Sequence, residues 1–593
     1  MIFNKNITIL KSKDKALARQ ISSVMIGEDL SVIDARSGDK TVKAAGVALH
    51  SMYDPEKEAA QWADHNYEKI ENMPAIILLG FGFGYHIREL LRKTDADLFV
   101  YEPRLDIIKA AMQSVDLTDV LNRVRIITDL QLPVLRKNFE IIEHGPSINI
   151  NRAYYIQILN RLKTLKLIAN GLKVMVVGPI YGGSLPIARY CADALRNIGA
   201  EVDFFDSSIF NSSFFSVKDI TTMTDHQNQL RDMLASFISE AVIARCQEYR
   251  PDIVFALAQA PLNELGLTKL RASGIPTAFW FVEDYKTLSY WNVMAKYYDY
   301  FFTIQQGDFI RQLKELGLEK VKYLPLAASP HIHKKVKLTK KEREMYGSDV
   351  SFMGAGYYNR RKFFLGLMDH DLKIWGNEWD PNAPLNRFYQ KSGERIDTEE
   401  TVKIFNASKV NVNLHSSTYH AGVDPYGDFV NPRTFEIAAC GAFQLVDHRT
   451  ELPELFRLGE EIVCFEDISD IRRKINYYLK NDDLREAAAE KAMKRVLKDH
   501  TYEQRMYEAL QFMVDSGLNL PSWSNAPENL RDLIARAGDD TELGIYLKKF
   551  RSQGNISLSD IMSSIRKGKG ELDSVEKMFL LLDELREVYC KRN

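Results

Sequence analysis

At 593 residues the chain exceeds what one hydrophobic core organises, so three or four domains are expected. Hydrophobic residues make up 45% and charged residues 27%, and the formal net charge of -2 gives no sign of nucleic acid or an anionic membrane surface as partner. Five scattered cysteines without a C-x-x-C pair, a polar first segment (MIFNKNITILKSKDK) and no run of about 18 apolar residues predict a cytoplasmic protein with no zinc site, no disulfide framework and no transmembrane segment.

Strands alternate with amphipathic helices for most of the length, the pattern of parallel α/β sheets. Ala75–Leu79 reads as a buried strand, followed by the turn Gly80-Phe81-Gly82-Phe83-Gly84 and a helix over His86–Arg92. Leu98–Tyr101 and Val124–Ile127 are further strands. Gly80, Gly82 and Gly84 permit close backbone approach, and Glu102, ending the next strand, could hold a ribose diol. That is the geometry of a dinucleotide or S-adenosylmethionine pocket, although Leu78 and Leu79 stand where a methyltransferase carries an acid. The bland reading is a degenerate Rossmann-like domain used for binding or assembly. Apolar residues at helical spacing from Tyr155 to Ile168 predict a connecting helix that closes an N-terminal domain, 1–170.

A second α/β unit starts with the strand Lys173–Val177, the loop Gly178–Ser184 and a helix over Leu185–Ile198 ended by Gly199. Gly178, Gly182, Gly183 and Ser184 are candidates to bring backbone close to a substrate; a tight strand–helix turn is the plain alternative. Glu201–Phe205, Ile253–Ala256, Thr277–Phe281 and Tyr300–Thr303 read as strands, and Leu324–Leu338 as a hinge. These define a lobe over 171–335. A third unit, 336–515, has strands at Val350–Met353, Leu372–Trp375, Val410–Leu414, Phe443–Val446 and Glu461–Phe465, and a closing helix over Tyr502–Val514. Beyond Pro521 the pattern is helical only, with apolar faces at Leu530/Leu533/Ile534, Leu543/Tyr546/Leu547/Phe550 and Val575/Met578/Phe579/Leu582, giving a helical tail over 516–593.

Two helix starts in the third unit carry cations where the helix dipole prefers acids. In Asn431-Pro432-Arg433-Thr434-Phe435-Glu436, Asn is a favoured N-cap and Pro a favoured first residue. An Arg there makes sense if an anion binds: free N–H groups, the dipole and the guanidinium converge on a phosphate. Glu436, three residues on, can reach the same pocket and accept from sugar hydroxyls. The alternative is an exposed i,i+3 Arg–Glu pair. Gly354-Ala355-Gly356-Tyr357-Tyr358-Asn359-Arg360-Arg361 repeats the device, with Asn359 as the expected N-cap. Together the two starts suggest a shared diphosphate site that works electrostatically, without a metal. The Asp-x-Asp matches at Asp95/Asp97 and Asp369/Asp371 precede strands, the wrong end for a metal-dependent donor site.

The stretches KVMVVGPIYGGSLP (173–186), PTAFWFVEDY (276–285), VSFMGAGYYNRRKFF (350–364), LKIWGNEW (372–379), FVNPRTFEIAACGAFQLVD (429–447), RTELPELF (449–456) and DHTYEQRMYEAL (499–510) together resemble the CgeB-type glycosyltransferases. The resemblance implies a GT-B fold: two Rossmann-like lobes with the site between them, the nucleotide sugar on the C-terminal lobe, and a last helix crossing back to the first. It also implies two glutamates with seven residues between them before the helix-ending glycine; here the second is Glu436, but the first is Asp428, so retention or inversion stays open. Glu283 or Asp284 is then a candidate acceptor-side base, with helix capping as the plain alternative. His415 and His420 could hydrogen-bond the diphosphate or sugar.

HSMYDPEKEAAQWA (50–63), LLGFGFGYHIREL (78–90) and FVYEP (99–103) resemble the motility-associated-factor proteins implicated in flagellin glycosylation, over about 40–150. The combined expectation is an α/β, GT-B enzyme behind an additional Rossmann-like domain. It moves a sugar from a nucleoside diphosphate, foremost UDP, to a protein acceptor such as flagellin, with no further cofactor. A homo-oligomer is compatible with the tail. An S-adenosylmethionine-dependent methyltransferase centred on Gly80–Glu102 and a non-catalytic scaffold are the alternatives.

Overall fold

A computed structural model describes residues 2–128, 139–521, 528–538, 540–553, 555–556, 558–568 and 570–592. The chain forms two compact units, Met1–Leu172 with Trp523–Asn593, and Lys173–Ser522. Among the described residues no helix is long and apolar enough to cross a membrane.

The first unit opens with helices Ile2–Lys13 and Lys15–Ser23 and an antiparallel sheet of Leu30–Asp34, Lys40–Ala44 and Val47–Ala48. A four-stranded parallel sheet follows, in the order Val124–Ile127, Asp97–Tyr101, Ala75–Leu79, Phe139–Glu143. Side chains of a strand alternate between faces. Ile76 and Leu78 accordingly pack with Ile87 and Leu90 of the helix Tyr85–Lys93, and Ile77 and Leu79 with Tyr155, Ile158 and Leu162 of Arg152–Ala169. Both faces being covered explains why Ala75–Leu79 is apolar at every position.

The C-terminal segment has helices Leu530–Ala537, Glu542–Leu547, Leu558–Lys567 and Ser574–Arg592 around a core of Leu530, Ile534, Tyr546, Leu547, Phe550, Ile561, Ile565 and Val575. It departs from the helical-only reading: Glu528–Asn529 pairs antiparallel with Asn555–Ile556. Met578 and Leu582, assigned to an apolar face, are 41% and 51% exposed.

The second unit contains two parallel sheets. The first runs Val321–Tyr323, Tyr300–Thr303, Thr277–Phe281, Ile253–Leu257, Lys173–Val177, Glu201–Phe205; the second runs Leu372–Trp375, Val350–Met353, Val410–Asn413, Gln444–Asp447, Val463–Phe465. The first lobe also contains a 26-residue helix, Thr224–Tyr249, that the periodicity did not reveal. The last helix, Tyr502–Asp515, is started by a Thr501/Gln504 capping box. Although it follows the second lobe, it packs on the first. Tyr502 stands 5.3 Å from the Tyr190 ring and Arg505 Nε donates to Pro325 O at 2.7 Å. Thr501 bridges to Ala328 in the hinge segment. Two doubly wound lobes tied by a returning helix are the GT-B arrangement.

Candidate active site

Counted within each lobe, both parallel sheets begin with the order 2-1-3, so the direction in which successive strands are added reverses between the first and third strands. Loops leaving such a switch point diverge and open a crevice beyond the carboxyl ends of the strands. A cleft of about 1260 Å³ lies between the lobes. Gly182, Gly183, Tyr190, Gln259 and Glu283 line it from the first lobe; Gly354, Ala355, Gly376, Arg395, Arg433 and Glu436 line it from the second.

Two backbone loops form the floor on the second lobe. Gly354 N donates to Trp375 O and Gly356 N to Asn377 O, each at 2.9 Å. Gly376 has φ +115°, and a Cβ there would sit 2.5 Å from Gly354 O. A Cβ on Gly356 would sit 2.6 Å from Glu378 O. Only glycines let these loops lie back to back. The Gly376-Asn377-Glu378 turn carried no role in the sequence reading, because its glycine looks like an ordinary strand-end turn.

The helix Pro432–Ala439 begins at the cleft. Asn431 caps it by accepting from Thr434 N at 3.2 Å, and its amide donates to Asn413 Oδ1 at 2.8 Å. Thr434 is buried, its hydroxyl accepting from Asn413 Nδ2 at 2.9 Å. Behind the cap, Asn431 N donates to His415 Nε2 at 2.8 Å, which places the imidazole proton on Nδ1, 2.6 Å from Asp447 Oδ1. Burial pushes His415 down to about 4. Burial opposes ionisation of Asp447 as well, but Arg449 and His415 hold its carboxyl well below the usual range. This layer corrects three assignments. His415, Asn431 and Thr434 spend their polar atoms on one another and position the helix rather than face a donor.

What the helix does present is Arg433 and Glu436, joined by a 2.5 Å contact from Nη1 to Oε2, with Glu436 only 5% exposed. His333, from the hinge, approaches Glu436 Oε1 to 3.7 Å. Ser329 N donates to His333 Nδ1 at 3.0 Å, so the neutral ring turns its Nε2–H toward the carboxylate. His333 escaped the sequence reading, since a hinge segment carries no periodicity to mark an inward side chain.

The second cationic start behaves differently. The helix is Tyr358–Phe363 with Tyr357 at the N-cap, so Asn359 caps nothing. Its buried amide instead donates to His415 O and Gly422 O at 2.7 and 3.1 Å. Arg360 is buried, donating to Leu414 O and Ala355 O, and burial pushes it down to about 10. Arg361 donates to Glu378 O at 2.5 Å. These cations staple loops together, and of this stretch Gly354, Ala355 and Tyr357 line the cleft.

On the first lobe, Gly182 has φ +101° and Gly183 starts the helix Ser184–Ile198. Gly178 packs against Phe204, and Ser184 Oγ donates to Ala258 O at 3.2 Å, so these two serve the turn itself. Arg395 Nη2 reaches Gly182 O at 3.4 Å from the opposite lobe. Glu283 lines the cleft and accepts from Tyr290 OH at 3.0 Å; burial pushes its carboxyl up to about 7. Asp284 instead accepts from Lys286 N, Thr287 Oγ1 and Gln305 Nε2, closing a turn; no helix starts there for it to cap. Gln259 is a further residue missed. It holds a strained φ of +64°, and its buried Oε1 at the cleft wall has no hydrogen-bond partner.

Asp428 does not share the cleft with Glu436. It bonds Lys286 Nζ at 3.2 Å and Gln305 Nε2 at 2.8 Å, tying the lobes together beside a second cavity of about 250 Å³. Asp284 and His420 line that second cavity too.

The glycine turn of the first unit is filled by the protein itself. A Cβ on Gly80, Gly82 or Gly84 would lie 2.4 Å from Ser147 Cβ, 2.5 Å from His50 Nε2 or 2.6 Å from Leu117 Cδ2. Glu102 accepts from Phe81 N and Arg104 N, and burial pushes it up to about 7. The acid therefore supports the turn in place of a ribose, which removes the pocket a methyltransferase needs there.

Residues 360–511 match the family described as glycosyl transferase-like, and residues 2–129 match the glycosyltransferase Maf N-terminal domain. The chain is a glycosyltransferase. The second match takes in the leading helices and the strand Leu30–Asp34, which the resemblance over 40–150 left out. The glycosyltransferase is 24% identical over 283 residues to the spore protein CgeB of Bacillus subtilis (strain 168), covering 46% of this chain and 86% of CgeB. Among solved structures, sucrose-phosphate synthase from Thermosynechococcus elongatus is 12% identical with a TM-score of 0.41, covering 57% of this chain and 96% of that one. Anabaena HepE in complex with UDP-glucose is also 12% identical, with a TM-score of 0.40, covering 58% of this chain and 99% of that one.

Proposed function

We propose that the glycosyltransferase moves a sugar from a nucleoside-diphosphate sugar, foremost a UDP-sugar, to a cytoplasmic protein acceptor such as flagellin. The observation that carries this is the Arg433–Glu436 pair at the start of a helix inside the interlobe cleft. Arg433 and the helix dipole attract the diphosphate, and stabilise it as it leaves. Glu436, held by Arg433 and faced by His333, accepts from hydroxyls of the sugar. Glu283, on the opposite wall, can take the acceptor's proton at neutral pH, since its raised pKa matches that task. The acceptor enters over Gly182-Gly183. Free thiols at Cys191, Cys246, Cys440 and Cys464 agree with a reducing compartment. The acceptor rests on the resemblance of HSMYDPEKEAAQWA (50–63) and LLGFGFGYHIREL (78–90) to the motility-associated-factor proteins, in a segment that falls within the match to the glycosyltransferase Maf N-terminal domain.

The test is UDP-sugar hydrolysis and transfer by Arg433→Ala and Glu436→Ala, with thermal shift by UDP, GDP and CMP. Loss of about 100-fold or more in each folded variant is expected for transition-state contacts of this type. Unchanged turnover in both would refute the site.

A further inference from the structure

The first unit holds a cluster that the transferase reading does not use. His50 follows the strand Val47–Ala48, His86 is the second residue of Tyr85–Lys93, and His144 follows Phe139–Glu143. All three are buried, and one ring nitrogen from each lies within 4.8 Å of the others. They sit on the glycine turn: His86 Nε2 is 3.2 Å from Gly80 O, and Phe83 N donates to His50 Nε2 at 2.9 Å.

A carbonyl oxygen can only accept, so His86 carries its proton on Nε2 and a lone pair on Nδ1. That Nδ1 is buried and has no partner. Packing alone gives no reason to bury an acceptor unsatisfied. Two of the rings are also held from their other side, and a carboxylate stands off the third. Gly80 O takes His86 Nε2–H, Ser147 Oγ lies 2.7 Å from His144 Nδ1, and Glu58 Oε2 lies 3.9 Å from His50 Nδ1. Glu58 is itself fixed by Ser51 N at 2.7 Å. Metal-ligating histidines are oriented in this way, one nitrogen on a carbonyl, hydroxyl or carboxylate and the other turned inward.

We propose that His50, His86 and His144 form a binding site for a divalent first-row transition metal ion, with zinc as the ion that three imidazoles and an open fourth position suit best. Zinc–nitrogen bonds of about 2.0–2.1 Å set tetrahedral ligands roughly 3.4 Å apart. The nitrogens, within 4.8 Å of one another, therefore close by up to about 1.4 Å, and the His86 and His144 rings, stacked at 4.0 Å with 10° between their planes, turn out of that stack to converge on the ion. His50 Nε2 gives up the Phe83 N–H on binding, and His86 Nδ1 gains the partner it lacks. The Gly80–Gly84 turn, which by position belongs to a nucleotide, is on this reading the wall of a metal site.

The test uses the full chain, produced without a histidine tag and stripped with a chelator. It is titrated with Co²⁺, read by its visible absorption, and then with Zn²⁺ in competition. The expected result is one equivalent bound, displaced by zinc, with His86→Ala and His144→Ala each weakening Zn²⁺ by about 100-fold or more and Ser147→Ala by about 10-fold. His65→Ala, an exposed histidine outside the cluster, leaves binding unchanged. Absence of stoichiometric binding to the folded wild-type chain, or unchanged affinity in His86→Ala, overturns the proposal. Should His86→Ala fail to fold by circular dichroism, His86→Asn takes its place, and the wild-type titration stands on its own. None of these readouts involves sugar transfer, so the donor site and the metal site fail independently.

Discussion

Replacing Glu283 with Gln should make the enzyme more stable at neutral pH and nearly inactive. The carboxyl is raised by burial from 4.5 to about 7, with Tyr290 OH donating to it. A raised pKa means that the folded state binds the proton more tightly than the unfolded state. The stability tied to that proton is complete below about 4.5 and is lost as pH rises through about 7. The full difference corresponds to at most about 3 kcal/mol, and about 2 kcal/mol once the residual exposure of the side chain is allowed for. Gln keeps an acceptor for Tyr290 and never ionises. The stability of Glu283→Gln minus that of the wild type should therefore grow by about 2 kcal/mol between pH 4.5 and 8, measured by urea unfolding. Over the same range, wild-type transfer should rise with an apparent pKa of about 7. The variant should lose that limb and about 100-fold or more in kcat. A stability difference independent of pH would refute the burial account. A Glu283→Gln profile that keeps the limb near pH 7 would refute its role as base.

Gly376→Ala forces a Cβ to within 2.5 Å of Gly354 O at a φ of +115°, so unfolding by urea should show a loss of about 2 kcal/mol or more, accompanied by weaker UDP binding. His415→Ala strands Asn431 N, while Asp447 keeps Arg449 and the backbone N–H of residue 415, so one unsatisfied group at roughly 1–3 kcal/mol, together with the cavity left by the ring, should lower Tm. Asp428→Asn removes the Lys286 ion pair at the lobe junction but nothing from the cleft. Turnover at saturating UDP-sugar should therefore stay within about 3-fold of wild type, since an ion pair this exposed contributes roughly 1 kcal/mol or less. A loss as deep as that of Glu436→Ala would restore Asp428 to the site.

Much of the second unit was legible because its signals are local. Val350–Met353 and Lys173–Val177 are apolar runs buried from both sides, and Asn431-Pro432 and Thr501/Gln504 mark helix starts through bonds made within one turn. The leading helices, the Lys40–Ala44 hairpin and the 26-residue helix Thr224–Tyr249 were not read. The hairpin strands mix buried and exposed residues without alternation, and the long helix buries few residues, so neither shows a clean period.

The sequence by itself determined that a helix begins at Asn431 with Arg433 and Glu436 on one face, because capping and helical spacing are properties of six consecutive residues. It did not determine which charged and polar neighbours join them. Arg360, Asn359 and His415 share the same local signature of polar groups after a strand, yet the tertiary structure turns them onto Leu414 O, His415 O and Asp447. Glu283, Gln259 and His333, each from another part of the chain, reach the cleft instead or close on Glu436. Whether a polar side chain meets a ligand or a buried carbonyl depends on which strand ends the sheet order places side by side, and that order is set by long-range packing. The three histidines at 50, 86 and 144 show the same limit: no spacing marks them, and only the folded sheet brings their rings within 4.8 Å.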